Sequence, residues 1–575
     1  MATPLILLDS YAARSCPVKT QNRHDRTVEA VPSQPDEALQ ELFAGGKAFR
    51  DDMLDHLAAT PGAVDLRPLL GDADQGELET REAIARGDGV IIGARLPPDA
   101  NGHRKGHCDV LVRGDDQGDG RPGYRPVLVK RHRALEMHVG AGLEDRFSHL
   151  GRPLGSFSIA DLTVKPSREG DLLQLAHCWR MLQAAGWACD LAPVAGLIGT
   201  DQPSGEHVIA WVDLGKKFLR TFSRTASTGW KLRSPLERYD HEFGFRLKVA
   251  QVASQRTGSS GDPRPMVAPI VVRECDHCTW WETCKPQLGD DDLSLRISKS
   301  PLDVREISVL RAHGINTLAD LAHTDVEALM ESYLPEVRHR NGADSRLRLA
   351  ARRASLMLAG VELERLTSDP IHLPEASLEI DFDIETSAGD RVYLWGFLLH
   401  DRLGELDGEG SDPFYKAFSR FEVLDNASEG ELAVEAIRWL DRLCTERPDT
   451  LVYHYSDYEV VHLLRLARRT GDPEVLEAAQ RVRAHFVDMF TLVKQHFFGT
   501  NGLGLKVVAR SGPGFEWRDD DPGGLNSQKW FRDAVLGPDE LTRSEATTRV
   551  LEYNEDDVRA THELRAWLRS LDAQD

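Results

Sequence analysis

The sequence predicts an α/β protein of several domains, and three observations predict it. Its 575 residues suffice for about three or four domains with cores of their own. Short apolar runs (GVIIGARL, CDVLVR, PVLVK, HVIAWVDL) alternate with helical stretches such as DLLQLAHCWRMLQAAG through the first half, the pattern of a mixed α/β domain. The end of the chain again opens on strand patterns and closes on helical ones.

Composition narrows the class. Hydrophobic residues at 41% and charged residues at 28% are those of a soluble globular protein. No apolar run approaches the roughly 20 residues of a membrane span. The opening MATPLILLDS lacks the basic start of a secretory signal and reads as a strand. The expectation is a cytoplasmic protein with reduced cysteines. A formal charge of −22 argues against a general polyanion binder but leaves local basic grooves open. Residues 220–248, RTFSRTASTGWKLRSPLERYDHEFGFRLK, read either as a track for a phosphate backbone or as a solvated face over core aromatics. With no GxxxxGK[ST] loop in the sequence, the chain carries no nucleotide-driven motor of its own.

Three regions follow: 1–290 and 372–575, each mixed α/β, and a short helical region 300–365 between them. In the first, ECDHCTWWETC (274–284) holds Cys275, Cys278 and Cys284. A C-x2-C-x5-C run among reduced cysteines reads as a metal site, and such a site usually takes four ligands. Cys178 and Cys189 lie in apolar surroundings that suit buried small hydrophobes. Cys444 belongs to the last region and Cys108 adjoins Asp109 on a strand, which leaves Cys16 in DSYAARSCPVKT.

That early Tyr, turn, Cys and Pro, with three cysteines following late, resembles the opening of RecB-like nucleases that bear an iron–sulfur cluster. The resemblance implies that Cys16, Cys275, Cys278 and Cys284 hold one [4Fe–4S] cluster and clasp the domain shut. Zinc is the alternative for four thiolates, although it usually arrives with two CxxC pairs. The resemblance also implies a restriction-endonuclease-like PD-(D/E)XK core between the clasp ends, in which an Asp and an acid-x-Lys strand hold metal and activate water. In 106–133, GHCDVLVRGDDQGDGRPGYRPVLVKRHR, Asp109 and Lys130 match that pattern, and Gln174 matches the glutamine of the following helix. The acid is missing, because Leu128 stands in its place. This second nuclease centre is therefore expected to be degraded, with Lys130 beside Asp109 as an ion pair or a phosphate contact. Glu136 is the nearest downstream acid that could substitute, and His56 and Glu82 are further candidates for an upstream ligand.

In the middle region LRAHGINTLADLA (310–322) resembles a helix-hairpin-helix, whose turn would aim backbone N–H groups at a phosphate. Gly314 allows the tight turn. An ordinary αα-hairpin is the alternative reading.

The last region opens with LEIDFDIET (378–386), which alternates strictly. Leu378, Ile380, Phe382 and Ile384 share one face of a strand, and Glu379, Asp381, Asp383 and Glu385 share the other. Carboxylates stacked on one face repel unless cations neutralise them. Asp383 and Glu385 can grip divalent ions of the kind that serve phosphodiester hydrolysis; a solvated strand face is the alternative. VYHYSDYEVVHLL (452–464) sets acids at a helix start, and in EYNEDDVRATHELRAWL (552–568) Tyr553 and Asp557 lie one turn apart. A tyrosine so placed can orient the attacking water.

DFDIET, HYSDYE and YNEDDV, in that order, resemble the DEDD-type 3′–5′ exonucleases of the ribonuclease-H-like fold, and most of all the YprB-type domain. The resemblance implies Asp383 and Glu385 as first-motif ligands, Glu459 as the second-motif acid with Asp457 as the alternative, Asp557 as the last ligand and Tyr553 as the water-positioning residue. Glutamate at 459 departs from the family's aspartate. Asp488 reads as a further ligand or as a helix-start acid. GLGLKVVARSGPGFEW (502–517) resembles the segment joining the last two motifs and receives no catalytic role.

Together the resemblances imply a nuclease dependent on Mg2+ or Mn2+, acting on DNA or RNA in processing or repair, with 3′–5′ exonuclease activity in 372–575. A helicase in trans is the partner they suggest. The alternative is a non-catalytic nucleic-acid-binding iron–sulfur scaffold. A cluster-based redox enzyme lacks a dinucleotide fingerprint.

Overall fold

The computed structural model describes residues 5–31, 37–138, 145–203, 205–223, 225–297, 302–405, 412–519 and 523–572. The chain divides into two compact units. The first comprises Met1–Arg296, Leu302–Thr317 and Thr324–Arg348, the second Ile297–Pro301, Leu318–His323 and Leu349–Asp575. The helical middle region is thus shared between them.

The first unit is built on an eight-stranded sheet in the order Ala63–Asp65, Val90–Ile92, Val110–Arg113, Tyr124–Val129, Val194–Ile198, Val208–Asp213, Arg146–His149, Phe157–Ser158. Tyr124–Val129 runs parallel to Val194–Ile198, and the helix Glu169–Ala185 lies in the connection between them, as a parallel pairing demands. Strand alternation sends Leu111, Leu128 and Leu197 into one apolar layer with Leu172 and Leu175 of that helix. Val110, Val112, Val127 and Val129 pack on the other side with Met53, Leu54 and Leu57 of the helix Glu37–Ala58. Position 128 is therefore a core position.

The basic stretch 220–248 splits in two. Leu219–Phe222 pairs with Trp230–Arg233 as a hairpin that leaves Arg220 and Lys231 exposed. The helix Pro235–Ala253, started by a Ser234–Glu237 capping box, buries Tyr239 and Phe243. In the middle region Asp303 and Glu306 cap Val304–Ala312 in the same way, and Gly314 follows with φ of 80°, a conformation that favours glycine.

The second unit holds a five-stranded sheet in the order Phe414–Ser419, Val392–Asp401, Leu378–Thr386, Leu451–His454, Phe486–Asp488. The first three are antiparallel and the last three parallel. Leu378, Ile380, Phe382 and Ile384 join the apolar cluster of the helices Asn426–Glu446, Tyr458–Arg469 and Pro473–Arg483. The acidic face of the same strand meets the long helix Glu540–Asp572. Along that helix Val550, Tyr553, Asn554, Asp557, Thr561, Leu564, Arg565 and Leu568 are buried, the stripe expected of one helical face. Among the described residues no helix is long and apolar enough to cross a membrane.

Candidate functional site

The four acids of Leu378–Thr386 have two different fates. Glu379 and Asp381 are neutralised. Arg565, itself buried, donates to both, with Nη2 2.7 Å from Asp381 Oδ2, and Arg569 Nη2 lies 2.6 Å from Glu379 Oε1. Burial alone would raise the Glu379 pKa, but Arg569 and Arg565 hold it below the usual carboxylate range.

Two residues further along, no guanidinium among the described residues answers the acids. Asp383, Glu385 and Asp557 bring ligand oxygens within 4.8 Å of one another. Their hydrogen bonds come from neutral donors: Asn554 Nδ2 to Asp383 Oδ2 at 2.7 Å, Ser527 Oγ to Glu385, and Trp517 Nε1 to Asp557 Oδ1 at 2.7 Å. Burial, then the neighbouring carboxylates, push Asp383 well above its usual range. Burial and then Asp557 push Glu385 up to about 8, and burial raises Asp557 too. Negative charge crowded into a dry place, offset only in part by Lys506 at 3.9 Å from Asp557 Oδ2, is what a hard divalent ion relieves.

Glu459 lies close enough to add to the Asp383 shift. It is buried, its Oε2 has no hydrogen-bond partner among the described residues, and His454 Nδ1 is 3.6 Å from it. An orphaned buried carboxylate oxygen suits a ligand that is absent from protein atoms. Asp457 is exposed at the helix start, so the inward acid of HYSDYE is Glu459. The turn that aims it holds Ser456 at φ 89°, a strained conformation of the sort that clusters at functional sites. Asp488 caps Met489–His496, accepting from Phe490 N at 2.9 Å and from Ser456 N at 3.2 Å.

Tyr553 stands one turn before Asp557, and its hydroxyl accepts from Lys506 Nζ. Lys506 and Trp517 both come from 502–517, the segment that carries no role in the sequence reading. Asn554 and Ser527 are likewise unforeseen. Asn554 lies inside YNEDDV but only its packing reveals its partner, and Ser527 sits in no motif.

In the first unit the four expected cysteines line one cavity with Val271, Trp280 and Trp281. Cys16 caps the helix Pro17–His24 and donates its N–H to Glu274 Oε2 at 3.0 Å, while Lys19 pairs with the same carboxylate at 2.5 Å. Val272 N and Trp280 N approach the sulfurs of Cys275 and Cys278 at 3.5 and 3.4 Å. Cys108, Cys178, Cys189 and Cys444 are buried.

The residues named for the second centre do not pair as expected. Asp109 Oδ2 accepts from Val129 N at 3.0 Å, and its oxygen lies 3.6 Å from Arg50. Lys130 Nζ donates instead to Gln174 Oε1 at 2.7 Å and faces Asp171 at 3.9 Å. Asp171 also takes Arg14 at 3.2 Å and His132 at 2.9 Å. The acid beside Lys130 is thus Asp171, from the helix that carries Gln174, and not Asp109. Glu136 pairs with His138, Glu82 with Arg86 and His56 with Asp52.

A family model described as the RNase_H superfamily matches residues 380–569. No curated protein and no solved structure matches the chain. The C-terminal region is ribonuclease-H-like, and the match supports a metal-dependent nuclease with a nucleic-acid substrate.

Proposed function

We propose that the chain is a divalent-metal-dependent 3′–5′ exonuclease working through Asp383, Glu385, Glu459 and Asp557. One observation carries the reading: Asp383 and Glu385 of a ribonuclease-H-like sheet converge within 4.8 Å of Asp557, and the charge of the three is only partly offset, by Lys506, while Glu379 and Asp381 beside them are fully paired. These acids, with Glu459, would hold Mg2+ or Mn2+. Such ions, when bound, supply an activated water and stabilise charge on the displaced phosphodiester. The protein's own part is orientation. Asn554, Ser527 and Trp517 lock the carboxylate rotamers, as outer-shell donors do. Tyr553, held by Lys506, directs the water.

For the first unit the reading is a nucleic-acid clamp whose own nuclease centre is inactive, closed by a [4Fe–4S] cluster on Cys16, Cys275, Cys278 and Cys284. The four cysteines lining one cavity support a shared metal site. A helicase acting in trans is the partner this reading suggests.

The test uses the full chain with 5′-labelled single- and double-stranded DNA and RNA. With Mg2+ or Mn2+ the label should move down a ladder of strands shortened from the 3′ end. EDTA and Asp383→Asn should each stop it. Cleavage that persists in Asp383→Asn would remove the reading.

A further inference from the structure

Lys506 is the first-turn lysine of the helix Leu505–Ser511. Its Nζ lies 2.5 Å from the Tyr553 hydroxyl, 4.6 Å from the centre of the same ring, and 3.9 Å from Asp557 Oδ2. An ordinary lysine–carboxylate pair closes to contact distance, whereas this ammonium stops a full ångström short of the acid. It spends its short hydrogen bond on the phenol. A lysine ammonium can only donate, so Tyr553 Oη accepts from it and keeps its own proton free to donate elsewhere. The other oxygen of Asp557 is occupied by Trp517. Lys506 is thus a tethered charge whose field reaches Asp383, Glu385 and Asp557 alike.

We propose that Lys506 is a positioning residue that sets both the divalent-ion affinity of the acid cluster and the placement of Tyr553. In the ion-free site it offsets part of the crowded negative charge without ligating any of it. A divalent ion entering the cluster is then repelled by a neighbouring positive charge, so affinity is held down and ions exchange readily. At the same time the lysine fixes the Tyr553 hydroxyl in one orientation, which is what a water-positioning group requires. This inference rests on the reading of the acid cluster as an ion site.

Its two arms make opposite predictions for one substitution. In the full chain Lys506→Met keeps the length of the side chain and removes the charge. Mn2+ binding, measured by calorimetry or by the loss of the free-Mn2+ resonance signal, should tighten by about tenfold. Under saturating Mn2+, kcat should fall by about tenfold or more with KM nearly unchanged, because the loss lies in placement. Lys506→Arg should restore wild-type ion affinity. Should Lys506→Met fail to give wild-type circular dichroism, Lys506→Gln serves the same comparison.

A lysine that merely holds its helix in place would lower stability and leave ion affinity alone. Folded Lys506→Met and Lys506→Gln that bind Mn2+ no more tightly than wild type would overturn the inference while the ion site stands. If the wild-type chain itself shows no Mn2+ binding that Asp383→Asn removes, the reading of the acid cluster falls, and this inference falls with it.

Discussion

Asn554 reaches Asp383 through the space of an absent side chain. Its Nδ2 donates to Asp383 Oδ2 at 2.7 Å, and its Oδ1 accepts from Tyr415 at 2.8 Å. The residue paired with Asp383 across the sheet is Gly396, where a Cβ would stand 1.6 Å from Asn554 Oδ1. The glycine is there so that an amide can hold the carboxylate. Gly396→Ala should therefore expel Asn554 and cost about 1–3 kcal/mol, read by chemical denaturation. Nuclease activity should fall with it. Asn554→Ala, which leaves the strands untouched, should lower activity by about ten- to a hundredfold. Equal activity in Asn554→Ala and wild type would show that the amide only fills space.

Removing one charge from the acid cluster should hurt catalysis and help folding. Asp383 is half-buried among Glu385, Asp557 and Glu459, and like charges in a poorly solvated site oppose the fold. In EDTA at neutral pH, Asp383→Asn should melt at or above the wild-type temperature, while its divalent-dependent cleavage drops by orders of magnitude. Added Mn2+ should raise the melting temperature of wild type and leave the variant unmoved, because only ligand-bound folded protein gains stability.

The neutralised half of the same strand should behave in the opposite way. The folded-state pKa of Glu379 is lowered by Arg569 and Arg565 despite burial. A lowered carboxylate pKa gives stability that is present above the unfolded value, near 4.5, and is lost as the pH falls through the folded value. Glu379→Gln should thus destabilise the protein by about 3 kcal/mol at pH 7. The gap between variant and wild type should close as the pH drops below about 4.5. A gap independent of pH would mean that Glu379 acts through packing.

Much of this division is legible in LEIDFDIET and some of it cannot be. A period of two separates Leu378, Ile380, Phe382 and Ile384 from the four acids on local geometry alone, and the helical spacing of Tyr553 and Asp557 is equally local. Which acids stay unbalanced depends on Arg565 and Arg569, far along the chain, arriving opposite Glu379 and Asp381. No spacing rule links them. Lys506 and Trp517 enter through a connecting segment whose path is set by the apolar contacts of Leu505, Val508 and Ala509, so its chemistry is visible only in three dimensions. The same holds for Asp171. It lies one turn from Gln174 on a buried helix, and only the approach of Lys130, Arg14 and His132 gives it a role.

The cysteine set should be metal-loaded and structural. Anaerobically purified protein should be brown and contain iron and acid-labile sulfide in amounts near those of one cluster. Cys16→Ser should bleach it and lower the melting temperature of the first unit, because Cys16 starts the helix that packs against Pro235–Ala253. Zinc in place of iron would retain the clasp and refute the cluster.

The second centre should not cleave, and the reason is charge. At the C-terminal cluster, carboxylates outnumber the cations that face them. Around Asp109 and Asp171 the balance is reversed, with Arg50 against the first and Arg14 and Lys130 against the second. A divalent ion would have to displace cations already in place, and it would find Leu128 where a further acid is needed. Leu128→Glu should not revive the centre, since position 128 is only 7% exposed within the apolar layer of the helix Glu169–Ala185. The introduced carboxylate should instead destabilise the unit by several kcal/mol or remain protonated. In an Asp383→Asn chain, no divalent-dependent cleavage should remain, and Asp109→Ala or Lys130→Ala should change nothing further in the rate. The same Lys130→Ala should still weaken binding of single-stranded oligonucleotides, and more so at low salt, if this cation-rich centre holds phosphate. Residual cleavage in Asp383→Asn that Asp109→Ala abolishes would show an ion bound at the first centre against this balance of charge.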